Sequence, residues 1–185
     1  YVVTGGTGFL GRRVAARLTA LDDAGPVEHV VNCAPGSTGE AVALARSTGA
    51  RLHHVSSIAV AGDYRGEFTE DDFDVGQQLP GAHHRAAFAA EHLVRTCGVD
   101  FRIYRTGVVV GDSHSGESDR IVGPLHFFPL LARLSALPAI TPILLPDVGR
   151  ANVVPVDYVC EALVELMHAQ GHDGRTFHLT AADTV

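Results

Sequence analysis

The chain has 185 residues, 46% of them hydrophobic, and a formal net charge of −7 at pH 7; that is one domain's length with apolar material for a proper core. The acidic balance and the scatter of its basic residues argue against nucleic acid or an anionic membrane surface as the main partner, and small molecules fit better. No run approaches the roughly 18 apolar residues of a spanning helix, and Cys33, Cys97 and Cys160 read as reduced packing residues of a cytoplasmic protein.

In chain order, Val2 to Gly11 reads as strand, glycine turn and the start of a helix that runs from Arg12 to Ala20. Gly6, Gly8 and Gly11 fit G-x-G-x-x-G, while Gly5, Gly8 and Gly11 fit the wider G-x-x-G-x-x-G. In either spacing the glycines let the backbone approach a pyrophosphate at the positive end of the following helix. Tyr1 already stands at the first strand, so upstream residues are expected. Asp22 and Asp23 read as solvated turn residues, because an acid that takes a ribose hydroxyl follows a strand. The second strand is His29 to Ala34. A turn at Pro35 to Thr38 then opens a helix from Gly39 to Ser47, stopped by Gly49.

Arg51 to Ile58 reads as a strand with a polar end, which makes Ser56 and Ser57 candidates, since ligands of open α/β sheets gather at the carboxyl ends of strands. Residues 62–79 form an acidic loop whose charge reads as solvation. After Pro80 comes a helix over Ala82 to Thr96, with Phe88, Leu93 and Val94 expected inside and Gly98 as its cap. A strand follows at Phe101 to Arg105; after Gly107 come Val108 to Gly111 and a polar loop over Asp112 to Asp119. Ile121 to Leu137 reads as an apolar lid and Pro138 to Pro146 as a proline-bounded stretch. A helix over Val153 to Met167 and a strand over Thr176 to Leu179 close the pattern. Such alternation predicts an α/β fold, Rossmann-like and doubly wound, with a mostly parallel sheet and a small C-terminal substrate-covering region over about 111–150.

Taken together, Thr4 to Gly11, Val31-Asn32-Cys33-Ala34, Val55 to Gly62, Arg105-Thr106-Gly107 and Val154 to Val159 resemble an extended short-chain dehydrogenase/reductase. The Ser56 to Gly62 run and Gly111 to Glu117 are most similar to the fatty-acyl and thioester reductases and related multidomain bacterial reductases. The resemblance implies a nicotinamide cofactor held by Gly5, Thr7, Gly8, Phe9, Leu10, Arg12, Ala34, Pro35, Ser56, Thr106, Gly107 and Val108. Arg12 and Arg13, just past the third glycine, tilt the choice towards NADP, with NAD as the alternative. It also implies missing parts: sheet units near residues 22–27 and part of a loop near 34–38.

The family's chemistry uses a Tyr, a Lys four residues later and a Ser or Thr. Aligning Leu79 to Glu91 on its Pro-Tyr-x-x-x-Lys-Phe-x-x-Glu pattern puts His83 at the Tyr and Ala87 at the Lys, while Ser57 matches. Imidazole titrates near neutrality, so His83 can act as a general acid, or it can be a solvated helix start. The histidine pairs His53-His54 and His83-His84 are adjacent and point different ways, which disfavours a metal site. No G-x-S-x-G elbow supports a hydrolase. Two expectations stand: a reductase of a carbonyl or acyl thioester, perhaps one domain of a larger chain, with Ser57 and His83 at its centre, and a cofactor-binding or structural pseudoenzyme.

Overall fold

A computed structural model describes residues 1–21, 25–118 and 151–182, together with Arg133. In chain order its elements are β1 (Val2–Thr4), α1 (Phe9–Thr19), β2 (His29–Asn32), α2 (Thr38–Thr48), β3 (Arg51–Ser57), α3 (Ala82–Thr96), β4 (Phe101–Thr106), β5 (Val108–Val110), β6 (Val153–Pro155), α4 (Val156–His168) and β7 (Thr176–Leu179). Single 3-10 turns at Pro35–Ser37 and Ile58–Ala61 follow β2 and β3. Five parallel strands make the main sheet in the order β1-β2-β3-β4-β7, and β5 pairs with β6 in a small parallel ribbon.

The helices divide between the two faces of the sheet. Val14 and Leu18 of α1 pack with Val156, Val159, Leu163 and Met167 of α4 against Val31, Val55 and Tyr104. On the other face, Ala41, Val42 and Ala45 of α2 and Val94 of α3 cover Val30, Leu52 and Ile103. Consecutive strand residues thus serve opposite cores, which is why these strands read as continuous apolar runs. Links that step in one direction along a sheet with the same hand keep their helices on one face. The β1–α1–β2 link therefore has the opposite hand to β2–α2–β3 and β3–α3–β4. Among the described residues β1 is an edge strand, paired only with β2.

Several sequence expectations shift at this level. Gly49 stops α2 in the left-handed conformation, as expected, with φ +72°. The stretch from Val153 splits into strand and helix, because Pro155 ends β6 and stands before the first turn of α4. Leu93 is 40% exposed, so it is not a packing residue; small Ala87 and Ala90 take the inner face of α3 instead. Asp22, Asp23, the lid over 121–137 and the stretch 138–146 lie outside the described residues. No helix among the described residues is long and apolar enough to cross a membrane.

The acidic loop corrects the solvation reading most. It has no regular element, but three of its charges are bonded: the Glu70 carboxylate accepts from the His178 N–H of β7 at 2.6 Å, and within the loop Asp63 accepts from the Gln78 N–H and Asp72 from both the backbone and hydroxyl of Thr69. Phe73 stacks on Phe88 of α3 at 4.5 Å. Arg105, fully buried in β4, donates to the carbonyls of Thr69 and Asp72. Its guanidinium also meets Glu91 of α3, equally buried, at 2.7 and 3.2 Å. Arg95 and the Ser56 hydroxyl complete the donors on that carboxylate.

Burial raises the Glu91 pKa, but the hydrogen bonds and charges of Arg105 and Arg95 outweigh it and hold the group below its ordinary value. A depressed carboxylate stabilises the fold above its unfolded pKa and loses that contribution as pH falls through the lower folded value. Glu91→Gln, which strands Arg105 without its counter-charge, should therefore cost about 3–5 kcal/mol near neutral pH. Urea unfolding at a series of pH values should show the gap between wild type and variant closing below about pH 4.

Candidate functional site

The site is built at the carboxyl ends of the parallel strands. Gly5 follows β1 with φ +71°, and a Cβ there would lie 2.8 Å from the Ala34 Cβ beyond β2. Gly11 sits where a Cβ would be 2.3 Å from the Gly5 carbonyl oxygen, so α1 can pack on the turn only with hydrogen at that position. A Cβ on Gly6 meets nothing closer than 3.5 Å. Gly8 stands before the first turn of α1 and donates to the Gly5 carbonyl at 3.1 Å. The wider spacing of Gly5, Gly8 and Gly11 is thus the one the turn uses. No side chain caps α1 and no acid stands in its first turn, so its leading N–H groups and positive dipole end suit an anion.

Beside the turn lies a cavity of about 580 Å³. It brings together Leu10, Pro35, Ser56 and Ser57 with His83 at the start of α3, with Thr106 at the end of β4 and with Gly107 and Val108 beyond it. The other expected cofactor residues flank it: Gly5, Thr7 and Gly8 in the turn, Phe9 and the exposed Arg12 on α1, and Ala34 after β2. Ala87, at the position the resemblance gives to lysine, also lines the cavity, as do Cys33, His54 and His84, which were not among the expected site residues. Only the alternation of β3 and the helical spacing from His83 to Ala87 could have signalled them.

Each polar group has a definite allotment. The Ser57 hydroxyl accepts from the Ala59 N–H at 3.2 Å, capping the short 3-10 turn. Ser56 turns its hydroxyl to the Glu91 carboxylate at 2.9 Å, so its one side-chain proton is committed there. Thr106 donates to the Ser56 carbonyl. Gly107 is tight for another reason, since a Cβ would fall 2.5 Å from the Asn152 side-chain oxygen. His84 Nδ1 accepts from the Gly81 N–H and fixes the start of α3. His83 is exposed, and its ring lies edge-on to that of His84, with centroids 6.2 Å apart. Burial, with Cys160 nearby, pushes the Cys33 thiol up to about 12, so it is a protonated wall residue. The reading of Arg13 as a phosphate ligand is corrected: its guanidinium bonds Asp112 and Glu117 at 3.2 and 3.1 Å.

No lysine occurs anywhere in the sequence. Ala87, in the position the resemblance assigns to lysine, is a buried methyl on the cavity wall. The residues present fit a dinucleotide at two places, the glycine cradle below α1 and the cavity beside it. At the end of β2, where the plain fingerprint has an acid, stands Asn32, whose side chain is bound by Thr4, Ser37, Thr38 and His54.

Comparison with known proteins agrees with this geometry. A family model described as Male sterility protein, of NAD-binding type, matches residues 21–163, beginning just after the helix that follows the glycine turn. Glycine betaine reductase ATRR of Emericella nidulans is 30% identical over 161 residues, which is 81% of this chain and 12% of that protein. The terminal R domain of the myxalamid PKS-NRPS biosynthetic pathway superposes with a TM-score of 0.69 at 23% identity, over 85% of this chain and 44% of that one. MoeE5, in complex with UDP-glucuronic acid and NAD, superposes with a TM-score of 0.74 at 18% identity, over 100% of this chain and 77% of its own. The chain thus spans about an eighth of the curated relative's length.

The close approach of α1 to the turn gives a direct check. Gly11→Ala should destabilise the fold by about 1–3 kcal/mol through overpacking against backbone, seen by circular dichroism as a fall of several degrees in the unfolding midpoint. Gly36→Ala, where nothing lies within 4 Å of the added carbon, should leave the midpoint in place.

Proposed function

Because the chain belongs to the Male sterility protein family of NAD-binding domains, on an extended short-chain dehydrogenase/reductase fold, we propose that it binds a nicotinamide dinucleotide and reduces a carbonyl or acyl-thioester substrate. The observation that carries this reading is the cavity in which Ser57 and His83 meet Leu10, Pro35 and the Thr106–Val108 segment at the carboxyl ends of the strands. Gly5, Thr7, Gly8 and Phe9, with the N-terminal end of α1, would hold the pyrophosphate. Leu10, Ala34, Pro35 and the segment from Thr106 would hold the nicotinamide end. When bound, the cofactor supplies the hydride. NADP is the cofactor we assign, with Arg12 towards its 2′-phosphate and NAD as the alternative.

The chain's own groups divide the remaining work. The Ala59 N–H occupies a lone pair of Ser57, so that hydroxyl keeps its proton to donate to a substrate carbonyl oxygen. His83 has both ring nitrogens clear of hydrogen-bonding partners among the described residues and stands at the cavity wall, where it supplies the proton for the alkoxide formed. The protein acts in the cytoplasm, and a longer chain in which it is one domain accords with the small share of its relative that it spans. The opposite hand of the β1–α1–β2 link supports the reading that sheet units of the family are missing near residues 22–27.

A second reading is favoured by one observation. With Ala87 at the lysine position and no lysine in the sequence, the chain can bind the cofactor as a pseudoenzyme without turnover. Absorbance of NADPH, followed with aldehydes and acyl thioesters, separates the two. Turnover that drops about 100-fold in His83→Ala and in Ser57→Ala supports the reductase. Full turnover in His83→Ala removes the histidine from the mechanism, cofactor binding without turnover selects the pseudoenzyme, and failure to bind NADPH or NADH overturns both readings.

A further inference from the structure

One buried ring nitrogen of a cavity-lining residue has no hydrogen-bond partner among the described residues. His54 of β3 is fully buried, lines the cavity, and its Nε2 makes no hydrogen bond in the described structure. Which nitrogen carries the proton follows from its surroundings. The Ala34 N–H can only donate, and it points at the Asn32 side-chain oxygen at 3.3 Å, joined there by the hydroxyls of Thr4 and Ser37. That places the Asn32 NH2 towards Thr38 Oγ1, at 2.8 Å, and His54 Nδ1, at 3.0 Å. The Thr38 hydroxyl gives its own proton to the Pro35 carbonyl, which leaves it an acceptor for Asn32. His54 Nδ1 is therefore an acceptor as well, and the proton of the neutral ring sits on Nε2. Burial holds the ring's pKa down to about 4, so it stays neutral near pH 7.

A donor desolvated in this way is costly unless something accepts from it. The face of β3 that carries His54 also carries Ser56, which reaches Glu91 on α3, and Ala87 of the same helix lines the same cavity. The alanine ends at its methyl, and no lysine exists to bring an ammonium there. An acceptor must come with the occupant. Resting on the dinucleotide reading, we infer that His54 binds the cofactor, its Nε2–H donating to a hydroxyl of the nicotinamide ribose. A ribose hydroxyl suits the place because it accepts this proton and still donates its own.

The test uses the intact chain, calorimetric titration and three probes: NADPH, nicotinamide mononucleotide, and 2′,5′-ADP, which carries the adenosine end alone. His54→Leu should weaken NADPH by about 10-fold or more and remove mononucleotide binding while 2′,5′-ADP is unchanged, and His54→Gln, which restores an N–H donor, should recover most of the loss. Equal NADPH affinity in wild type and His54→Leu overturns the inference and leaves the dinucleotide reading intact. A parallel loss of NADPH and 2′,5′-ADP also overturns it, because the ring then acts only as a spacer. Wild type that binds none of the probes overturns the inference and the reading together. Should the variants fail to fold, nitrogen-15 spectra of the wild-type histidines decide: an Nε2–H tautomer for the neutral buried ring, with a shift on NADPH saturation, is expected, and an unshifted Nε2 overturns the inference.

Discussion

The architecture around the cavity depends on one buried carboxylate. Glu91 is fully enclosed and receives Arg105 from β4, Arg95 from its own helix and Ser56 from β3. Two guanidiniums on one carboxylate would leave a surplus positive charge in the interior. The carbonyls of Thr69 and Asp72 turn towards Arg105, and the Thr176 hydroxyl towards Arg95. Because the penalty for leaving either ion unpaired exceeds what the pair contributes in place, α3 has one seat on the sheet. That seat is what brings His83 and Ala87 to the wall that Ser57 shares.

A second hub does the same for the other wall. Asn32 ends β2 and bonds Thr4 of β1, Ser37 and Thr38 at the start of α2, and His54 of β3. One amide thereby ties the glycine turn to the next two strands, just below the cofactor end of the sheet. The opposite end of the sheet is organised differently. Tyr104, His53 and His29 form a hydrogen-bonded row, with Tyr1 stacked on His29. There burial, the neighbouring His29 and nearby arginines hold His53 far below its ordinary pKa, while Arg102 caps the last carbonyls of α4. The adjacent histidines of β3 thus serve opposite faces, one in packing and one at the cavity.

Much of this was legible in the chain itself. The glycine spacing, the apolar runs of the strands and the stop at Gly49 follow local rules, and they set the parallel α/β architecture and the strand ends where Ser57 and Thr106 stand. The choice between the two glycine spacings was not legible, because it depends on how closely α1 approaches the Gly5 carbonyl in space. Leu93 misled for a similar reason: its apolarity says nothing about which side of α3 meets the sheet, and the buried side carries alanines and a glutamate. The partners of Glu91 and Asn32 come from up to 35 residues away along the chain, beyond any local pattern. His54 was invisible as a binding residue until the direction of the Asn32 amide assigned its proton.

The grip of Arg105 on residues 62–79 has a consequence for how the domain breathes. A long irregular segment is ordinarily the first part of a protein to open, at little free-energy cost. Here Thr69 and Asp72 cannot leave without stripping two acceptors from an arginine that has no other exit to water. Opening of the segment is thereby coupled to disruption of the core, so loop and core form one cooperative unit. Amide exchange in this stretch, at the groups it bonds, belongs to global unfolding more than to local fraying.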